Sequence, residues 1–403
     1  MLDKDNIFFK KKILIYGLGK SGLSAYRFLK KNNKIYLYDD NKIKNQNLEI
    51  KKKLIQYQDI IHEKIDCIII SPGIDIKKCK LKNFLKKNLG KIHTDLDIFY
   101  YYNKKNKNIT ITGTNGKSTT VKIIYEVLKC QKIDARLVGN IGNPILSEKK
   151  ITPKTVFVIE ASSYQLEYSK IFKSHLAAIL NISPDHLERH GSIRNYIKAK
   201  FKLIKTQTKK DFTFLNTNNL FIKRYLSGQK ILSKIIKINK TVQSKVLKKI
   251  DNPNFLSDGN KENLSFVFEI AKKMKISKNN LFKVLQKFNG LDFRQQVIFK
   301  SKNLIIINDS KATSFSSTVS ILRSITNVYW IVGGQAKKGD KFLLNKSECK
   351  NIEAYIFGKN KKFFINKLKK KINYQLFDDL KSSVKKILID VKKNNKKQHI
   401  ILF

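Results

Sequence analysis

Cysteine is scarce in this chain: Cys67, Cys79, Cys130 and Cys349 are the only four in 403 residues, with no CxxC spacing and no small secreted frame around them. A disulfide framework is therefore excluded, and free thiols in a reducing compartment are expected. Long apolar runs are absent as well. None approaches the length of a membrane span, and Met1-Leu2-Asp3-Lys4-Asp5 leads straight into a strand pattern, so the expectation is a cytoplasmic chain with no membrane partner. Acidic residues are few, 31 against 83 Lys+Arg, for a formal net charge of +52. Such an excess normally points to nucleic acid or a membrane surface. Here the lysines are scattered through every segment beside Asn and Ile, a compositional bias rather than a basic stripe, and no nucleic-acid partner is expected. At this length one core is insufficient, and two or three domains are expected, with 41% hydrophobic residues to fill them.

What the chain does have is a phosphate-binding loop. The β-branched run Ile109-Thr110-Ile111-Thr112 breaks into Gly113-Thr114-Asn115-Gly116-Lys117-Ser118-Thr119 ahead of a helical pattern. Glycines let backbone N–H groups converge on phosphate oxygens, the lysine reaches terminal phosphates, and the hydroxyl after it can ligate magnesium. Only Thr114 and Asn115 separate the two glycines, where the strict pattern has four residues. ATP-driven chemistry is the implication.

An earlier turn has related grammar. Ile13 to Tyr16 is followed by Gly17-Leu18-Gly19-Lys20-Ser21-Gly22, a second strand Lys34 to Tyr38 ends in Asp39-Asp40, and a third, Cys67 to Ile70, ends in Ser71-Pro72-Gly73. Alternating strands and helices predict a parallel sheet, and ligands of such sheets sit at the carboxyl ends of the strands. The turn fits a dinucleotide or a UDP-type ligand, with pyrophosphate at the helix N-terminus and Asp39 at the ribose or base. The second phosphate loop favours the UDP-type ligand. A Lys/Asn-rich stretch, Tyr101 to Asn108, reads as a linker.

Beyond it the alternation resumes with strands over Val156 to Ile159, Leu176 to Ile182 and Phe212 to Leu215, then over Leu304 to Ile307, Val328 to Val332 and Ala354 to Phe357. Glu160 at the end of one strand is placed to share a magnesium with Ser118. Asp185-His186 follows another strand, and His186 reads as functional. Tyr196-Ile197-Lys198-Ala199-Lys200 lies on the next helix, where a solvated lysine face is the default.

With these pieces the sequence resembles the Mur ligase family, ATP-dependent amide ligases of peptidoglycan precursor synthesis. The shortened loop Gly113 to Thr119 matches that family. Gly17 to Gly22, Ser71-Pro72-Gly73-Ile74, Gly139-Asn140-Ile141-Gly142-Asn143-Pro144, Asn308-Asp309-Ser310-Lys311-Ala312-Thr313 and Gly333-Gly334 resemble its D-glutamate-adding branch, in the right order over nearly the whole chain. The resemblance implies an α/β fold of three domains: a Rossmann-like UDP-substrate domain (1–100), a central P-loop ATPase-like parallel-sheet domain for ATP (101–293), and a Rossmann-like amino-acid domain (294–403). It implies a monomer that closes on UDP-N-acetylmuramoyl-L-alanine, ATP with Mg2+, and D-glutamate.

The residue roles are likewise what the resemblance implies. Lys117 contacts the ATP phosphates within the loop Gly113, Thr114, Asn115, Gly116, Ser118 and Thr119. Ser118 and Glu160 hold one magnesium; His186 ligates a second, bridged by Lys200 in carbamylated form. Gly17, Gly19, Lys20, Ser21, Gly22, Asp39, Ser71, Pro72 and Gly73 serve the UDP end, and Asn140, Ser162, Ser163 and Gln165 the muramoyl-alanine end. Asn263, Arg294 and Asp309 contact ATP, while Ser310, Lys311, Thr313 and Lys337 serve the incoming D-glutamate.

The sequence departs from the family at several positions. Gly259 and Phe293 stand where histidines are usual, Ser314 where asparagine is usual, and the chain stops at the strand pattern His399 to Phe403, before the family's last loop and helix. Truncation of a longer protein is the expectation. Other functions of a different kind are another Mur or folylpolyglutamate-type ligase, a nucleic-acid binder, and an inactive nucleotide-binding protein.

Overall fold

The computed structural model describes residues 6–41, 48–239, 242–335, 340–393 and 397–403. It divides into two compact units, Met1–Asn239 and Lys240–Phe403. The first unit holds two sheets. β1 (Lys12–Tyr16), β2 (Lys34–Tyr38), β3 (Cys67–Ile70) and β4 (Ile92–His93) make the first, in the order β2-β1-β3-β4. β5 (Asn108–Thr112), β6 (Ala135–Gly139), β7 (Val156–Glu160), β8 (Leu176–Ile179), β9 (Phe212–Asn216) and β10 (Lys234–Ile238) make the second, in the order β10-β9-β8-β5-β7-β6. Every pairing in both is parallel. Strands buried on both faces read as unbroken apolar runs, as in Cys67-Ile68-Ile69-Ile70 and Val156-Phe157-Val158-Ile159.

The first and second sheets share one continuous core. Ile13, Ile15 and Leu37 of the first pack in the same cluster as Phe157, Ile159 and Ala177 of the second, with Leu96, Ile98 and Phe99 of the helix Asp95–Tyr102 among them. A polar fastening accompanies that core. Asp97 is fully buried and accepts from the Ser169 hydroxyl at 2.7 Å and from the backbone N–H groups of Lys170, Ile171 and Phe172 at 2.9, 2.9 and 3.0 Å. Burial alone would raise its carboxyl, but bonds from His93, Ser169 and this backbone hold it below the usual carboxylate range.

The second unit carries the third sheet. β11 (Gln296–Lys300), β12 (Leu304–Asn308), β13 (Val328–Val332), β14 (Ile352–Phe357), β15 (Asn373–Phe377) and β16 (His399–Leu402) run in the order β11-β12-β16-β13-β14-β15. Only β11 is antiparallel to its neighbour, with a register shift between Val297 and Phe299. The last strand of the sequence is thus interior to the sheet, paired with both β12 and β13.

Two expectations need correction. The stretch Tyr101 to Asn108, read as a linker, joins the helix Asp95–Tyr102 to β5 with Lys104, Lys105 and Lys107 exposed, but it is not polar surface throughout: Asn108 opens β5 fully buried, and buried Asn106 donates to the Thr152 and Thr155 carbonyls at 2.7 and 3.0 Å. The strand expected over Leu176 to Ile182 stops at Ile179: Leu180 N still donates to the Thr112 carbonyl of β5, but Asn181 turns its carbonyl and side chain to the phosphate loop.

Candidate functional site

Three strand ends of the second sheet build the site. β5 runs into the phosphate loop, whose Gly116 takes φ 83 and caps the helix Lys117–Cys130. A positive φ there is why a glycine closes the turn. The loop is held from the end of β8: Asn115 N donates to the Asn181 side-chain oxygen at 2.9 Å, Thr114 N to the Asn181 carbonyl at 2.9 Å, and Ser183 N to the Thr114 hydroxyl at 3.0 Å. The Tyr196 hydroxyl lies 3.1 Å from the Thr114 hydroxyl. Lys117 folds back over the turn, its Nζ donating to the Gly113 and Thr114 carbonyls at 2.9 and 2.8 Å. Ser118, one residue into the helix, is buried.

Glu160 ends β7, 1% exposed. Its Oε1 accepts from Asn140 Nδ2 at 2.8 Å, and Asn140 N donates to the Glu160 carbonyl at 3.0 Å. Its Oε2 is buried and has no hydrogen-bond partner among the described residues. An orphaned buried carboxylate oxygen is costly unless something fills its place. A divalent cation fits, since magnesium typically takes one or two protein carboxylates and completes its shell with phosphate oxygens and water. Among the described residues no group of three or more His, Cys, Asp or Glu is arranged to hold a metal by itself.

Lys200 departs from the expected solvated lysine face. It is 1% exposed while Lys198, two residues earlier on the helix Ile193–Lys205, is exposed. Its Nζ donates to the Gly113 carbonyl at 2.8 Å and stands 4.5 Å from the Tyr196 ring centroid. Burial first, and then the charge of Lys117, push its pKa well below that of an ordinary lysine; Asp185 and Glu160 oppose them. Lys117, Glu160 and Asp185 thus all lie within electrostatic reach of the buried Lys200 amine. His186 follows Asp185 with φ 52, its Nε2 3.3 Å from Asp185 Oδ2 and its Nδ1 2.8 Å from the Tyr164 hydroxyl.

Ser162 caps the helix Ser163–Tyr168 in a capping box with Gln165. Ser163 is buried, with its hydroxyl 3.0 Å from His190 Nε2. Burial, with Arg189 and Lys200 nearby, lowers the His190 pKa to about 4, so this imidazole is neutral. Asp95 was not singled out in the sequence. It is buried among hydrogen-bonding groups of Ser21 and Gln165, and desolvation raises its carboxyl to about 6.

At the first sheet, Gly17 to Gly22 form a tight turn into the helix Lys20–Leu29. A Cβ on Gly22 would meet the Gly17 carbonyl oxygen at 1.9 Å. The Ser71 hydroxyl donates to that same carbonyl at 2.6 Å, and Asp39 accepts from Leu18 N at 2.7 Å, so three strand ends lock one turn. Gly19, Lys20 and Gly73 are exposed at its rim, with Pro72 between Ser71 and Gly73 partly so.

In the second unit, buried Asn263 bonds Asn260, and Asn260 reaches the Gln295 side chain at 3.3 Å. Arg294 lies between Phe293 at φ 65 and Gln295 at φ 47. Two consecutive-but-one left-handed residues are strained backbone, of the sort held only where surroundings impose it. Asp309 accepts from Gln295 N at 3.1 Å, keeps a buried Oδ2 with no hydrogen-bond partner among the described residues, and is raised to about 7 by burial. A cavity of about 740 Å3 opens at these strand ends, lined by Asp309, Ser310, Thr313, Trp330, Gly333 and Phe363 among others. Lys311 is not in its lining; it bonds the Phe293 carbonyl and covers the Phe293 ring at 5.3 Å. Lys337 lies outside the described residues. Gly259 has its N–H on the Ser320 hydroxyl at 3.0 Å, and Ser320 fills the place a side chain would take.

Sequence reasoning assigned no role to Asn181, Tyr196, Tyr164, Arg189 and Asp95, although the first four lie in or beside the motif stretches. Tyr196 alone had a signal that could have found it, its place four residues before Lys200.

Comparison with known proteins gives a consistent answer. Residues 11–92 match the model of the Mur ligase MurD-like N-terminal domain, and residues 111–281 that of the Mur ligase middle domain. UDP-N-acetylmuramoylalanine–D-glutamate ligase of Rickettsia bellii is 31% identical over 98% of this chain and 92% of its own length. The protein of the same name from Caldicellulosiruptor bescii is 31% identical over 93% and 89%. Among solved structures, MurF of Acinetobacter baumannii has a TM-score of 0.57 at 16% identity over 79% of this chain and 77% of that one. The Thermotoga maritima MurF ligase in complex with ADP has a TM-score of 0.56 at 13% identity, over 99% and 94%. These likenesses carry the α/β fold, and the sequence relatives, with the loop, carboxylate and buried lysine assembled at one sheet end, carry the family: the chain belongs to the Mur ligase family.

Proposed function

We propose that this chain is a cytoplasmic, monomeric ATP-dependent amide ligase that joins D-glutamate to UDP-N-acetylmuramoyl-L-alanine in peptidoglycan precursor synthesis. The observation that carries the reading is that Lys117 and Lys200 both donate to the Gly113 carbonyl at the carboxyl end of β5, with Glu160 in electrostatic reach of Lys200. We keep the division of labour by segment, with 1–100 for the UDP end, 101–293 for ATP and 294–403 for the amino acid.

The acceptor carboxylate attacks the γ-phosphorus of ATP, releasing ADP and leaving an acyl phosphate; the amine of D-glutamate then displaces phosphate. A carboxylate is a poor electrophile, and activation makes the amide accessible. Lys117 exchanges its two carbonyl partners for phosphate oxygens and spreads the charge that develops there. Bound Mg2+ supplies further neutralisation of that charge, with Ser118 and Glu160 to hold one ion and His186 with Lys200 a second. Lys200 suits its role through its lowered pKa. A neutral amine adds to CO2, loses one proton and becomes a carbamate, converting a cation that would repel metal into an anionic ligand.

Gly17 to Gly22, Asp39 and Ser71 form a turn whose helix N-terminus suits a pyrophosphate. Asn140, Ser162, Ser163 and Gln165 are assigned to the muramoyl-alanine end. On the second unit, Asn263, Arg294 and Asp309 are assigned to nucleotide. Ser310 and Thr313, in the 740 Å3 cavity, and Lys311 and Lys337 are assigned to D-glutamate.

The test is turnover by the purified chain with ATP, Mg2+ and UDP-N-acetylmuramoyl-L-alanine, following phosphate release and product mass across D-glutamate, L-glutamate and other amino acids. The expected result is strict dependence on D-glutamate with the matching mass gain. Turnover with a different amino acid, or salt-dependent RNA binding without ATP hydrolysis, overturns the assignment.

A further inference from the structure

Tyr164 belongs to no motif role, yet its hydroxyl lies 2.8 Å from Nδ1 of His186, with ring centroids 5.0 Å apart. His186 needs such a partner. Its backbone is left-handed and its side chain is 42% exposed. On the far edge of the ring, Nε2 faces Asp185 Oδ2 at 3.3 Å, while Glu188 Oε1 stands off at 3.7 Å from Nδ1.

Tyr164 is itself fixed. It lies in the helix that Ser162 and Gln165 cap, and the buried Arg189 guanidinium sits 5.0 Å from its ring centroid. Arg189 is anchored in turn on the Ile74 carbonyl, with Glu167 at 3.5 Å. A tyrosine hydroxyl can donate or accept, so it satisfies Nδ1 in either neutral tautomer of the imidazole.

We propose that Tyr164 is a positioning residue for His186: by engaging Nδ1 it turns the ring so that Nε2 and the Asp185 carboxylate form the face offered to a cation. Partners on the far nitrogen of a metal-binding histidine commonly orient the ring and tune its basicity, and their loss typically costs 10- to 100-fold in metal affinity. The proposal rests on the reading of His186 as a magnesium ligand.

The test is Tyr164→Phe in the full chain, which keeps the ring against Arg189 and removes only the hydroxyl. Two-bond 1H–15N spectra of the metal-free protein read the His186 nitrogens directly. The expected result is a hydrogen-bonded Nδ1 signature in the wild type that is lost in Tyr164→Phe. The Mg2+ concentration for half-maximal turnover is then expected to rise about 10-fold or more, with the melting temperature unchanged. Identical nitrogen shifts in the two proteins overturn the proposal whatever the metal does. A Mg2+ midpoint moved by His186→Ala but not by Tyr164→Phe overturns it too. A midpoint moved by neither overturns instead the reading of His186 as a ligand.

Discussion

The strand ends of the second sheet and those of the third make sites in two different ways. Around the phosphate loop, polar groups already answer one another: Lys117 and Lys200 both donate to Gly113, and Asn181 bonds both sides of Asn115. At the third sheet the strand ends border a cavity walled largely by Phe315, Trp330, Phe357, Phe363 and Phe364. A ligand enters the first by exchanging hydrogen bonds and the second by covering apolar surface around a few polar anchors. The first therefore demands particular atoms at particular places, whereas the second demands a shape.

The largest expected effect separates the two. Lys117→Ala should lower kcat by about 10²- to 10³-fold, the scale for losing one preorganised charge-stabilising donor. Thr313→Ala, at the cavity, should act mainly on KM for the amino acid, by roughly 10-fold. Steady-state kinetics on both variants decide this. Equal losses in kcat would erase the distinction.

The two regions should also answer pH in opposite senses. His190 has its pKa lowered to about 4, below its unfolded value, so it binds its proton less tightly when folded. Stability from that group is lost as pH falls from about 6.5 toward 4, and His190→Asn should remove the loss. Asp309 is raised to about 7. The folded state holds that proton more tightly, so stability is lost as pH rises from about 4 to 7, and Asp309→Asn should be more stable than wild type at pH 8 but not at pH 4. Each span is on the order of 3 kcal/mol. Melting curves of variant against wild type at pH 4, 6 and 8 check both signs.

Smaller effects test local fit. Gly22→Ala places a Cβ 1.9 Å from the Gly17 oxygen, and should destabilise the first unit by about 1–3 kcal/mol in denaturant titration. Gly259→Ala meets the Ser320 hydroxyl at 2.8 Å, the far end of a short side chain. The helix gain of up to about 1 kcal/mol should be nearly cancelled in wild type and recovered in a Ser320→Ala background.

The same contrast explains what was legible in the sequence. The phosphate loop, Glu160 and His186 are named by local spacing, because backbone turns and strand ends fix them within a few residues. Lys200 is different: helix periodicity alone does not separate it from Lys198, and only its resemblance to a family pattern marked it. Tyr164, Tyr196 and Asn181 act through partners 22, 82 and 66 positions away. No window of sequence contains both ends of such a contact. The parallel sheets were readable from apolar runs between glycine turns. Asn106 and Asn108, in a stretch rich in Lys and Asn, look like solvent-loving linker residues, and only the carbonyls of Thr152, Thr155 and Lys173 show why they are inside.

The buried Asp97 bears on how such a chain can be recombined. It lies in the helix after β4, but the groups it gathers lie some seventy residues on, just past the helix Ser163–Tyr168. Any crossover that parts Asp97 from Ser169 to Phe172 would strand an anion in a dry interior on one side and four donors on the other. Shuffling between relatives should therefore succeed when the two travel together, making this carboxylate a constraint on inheritance rather than on chemistry.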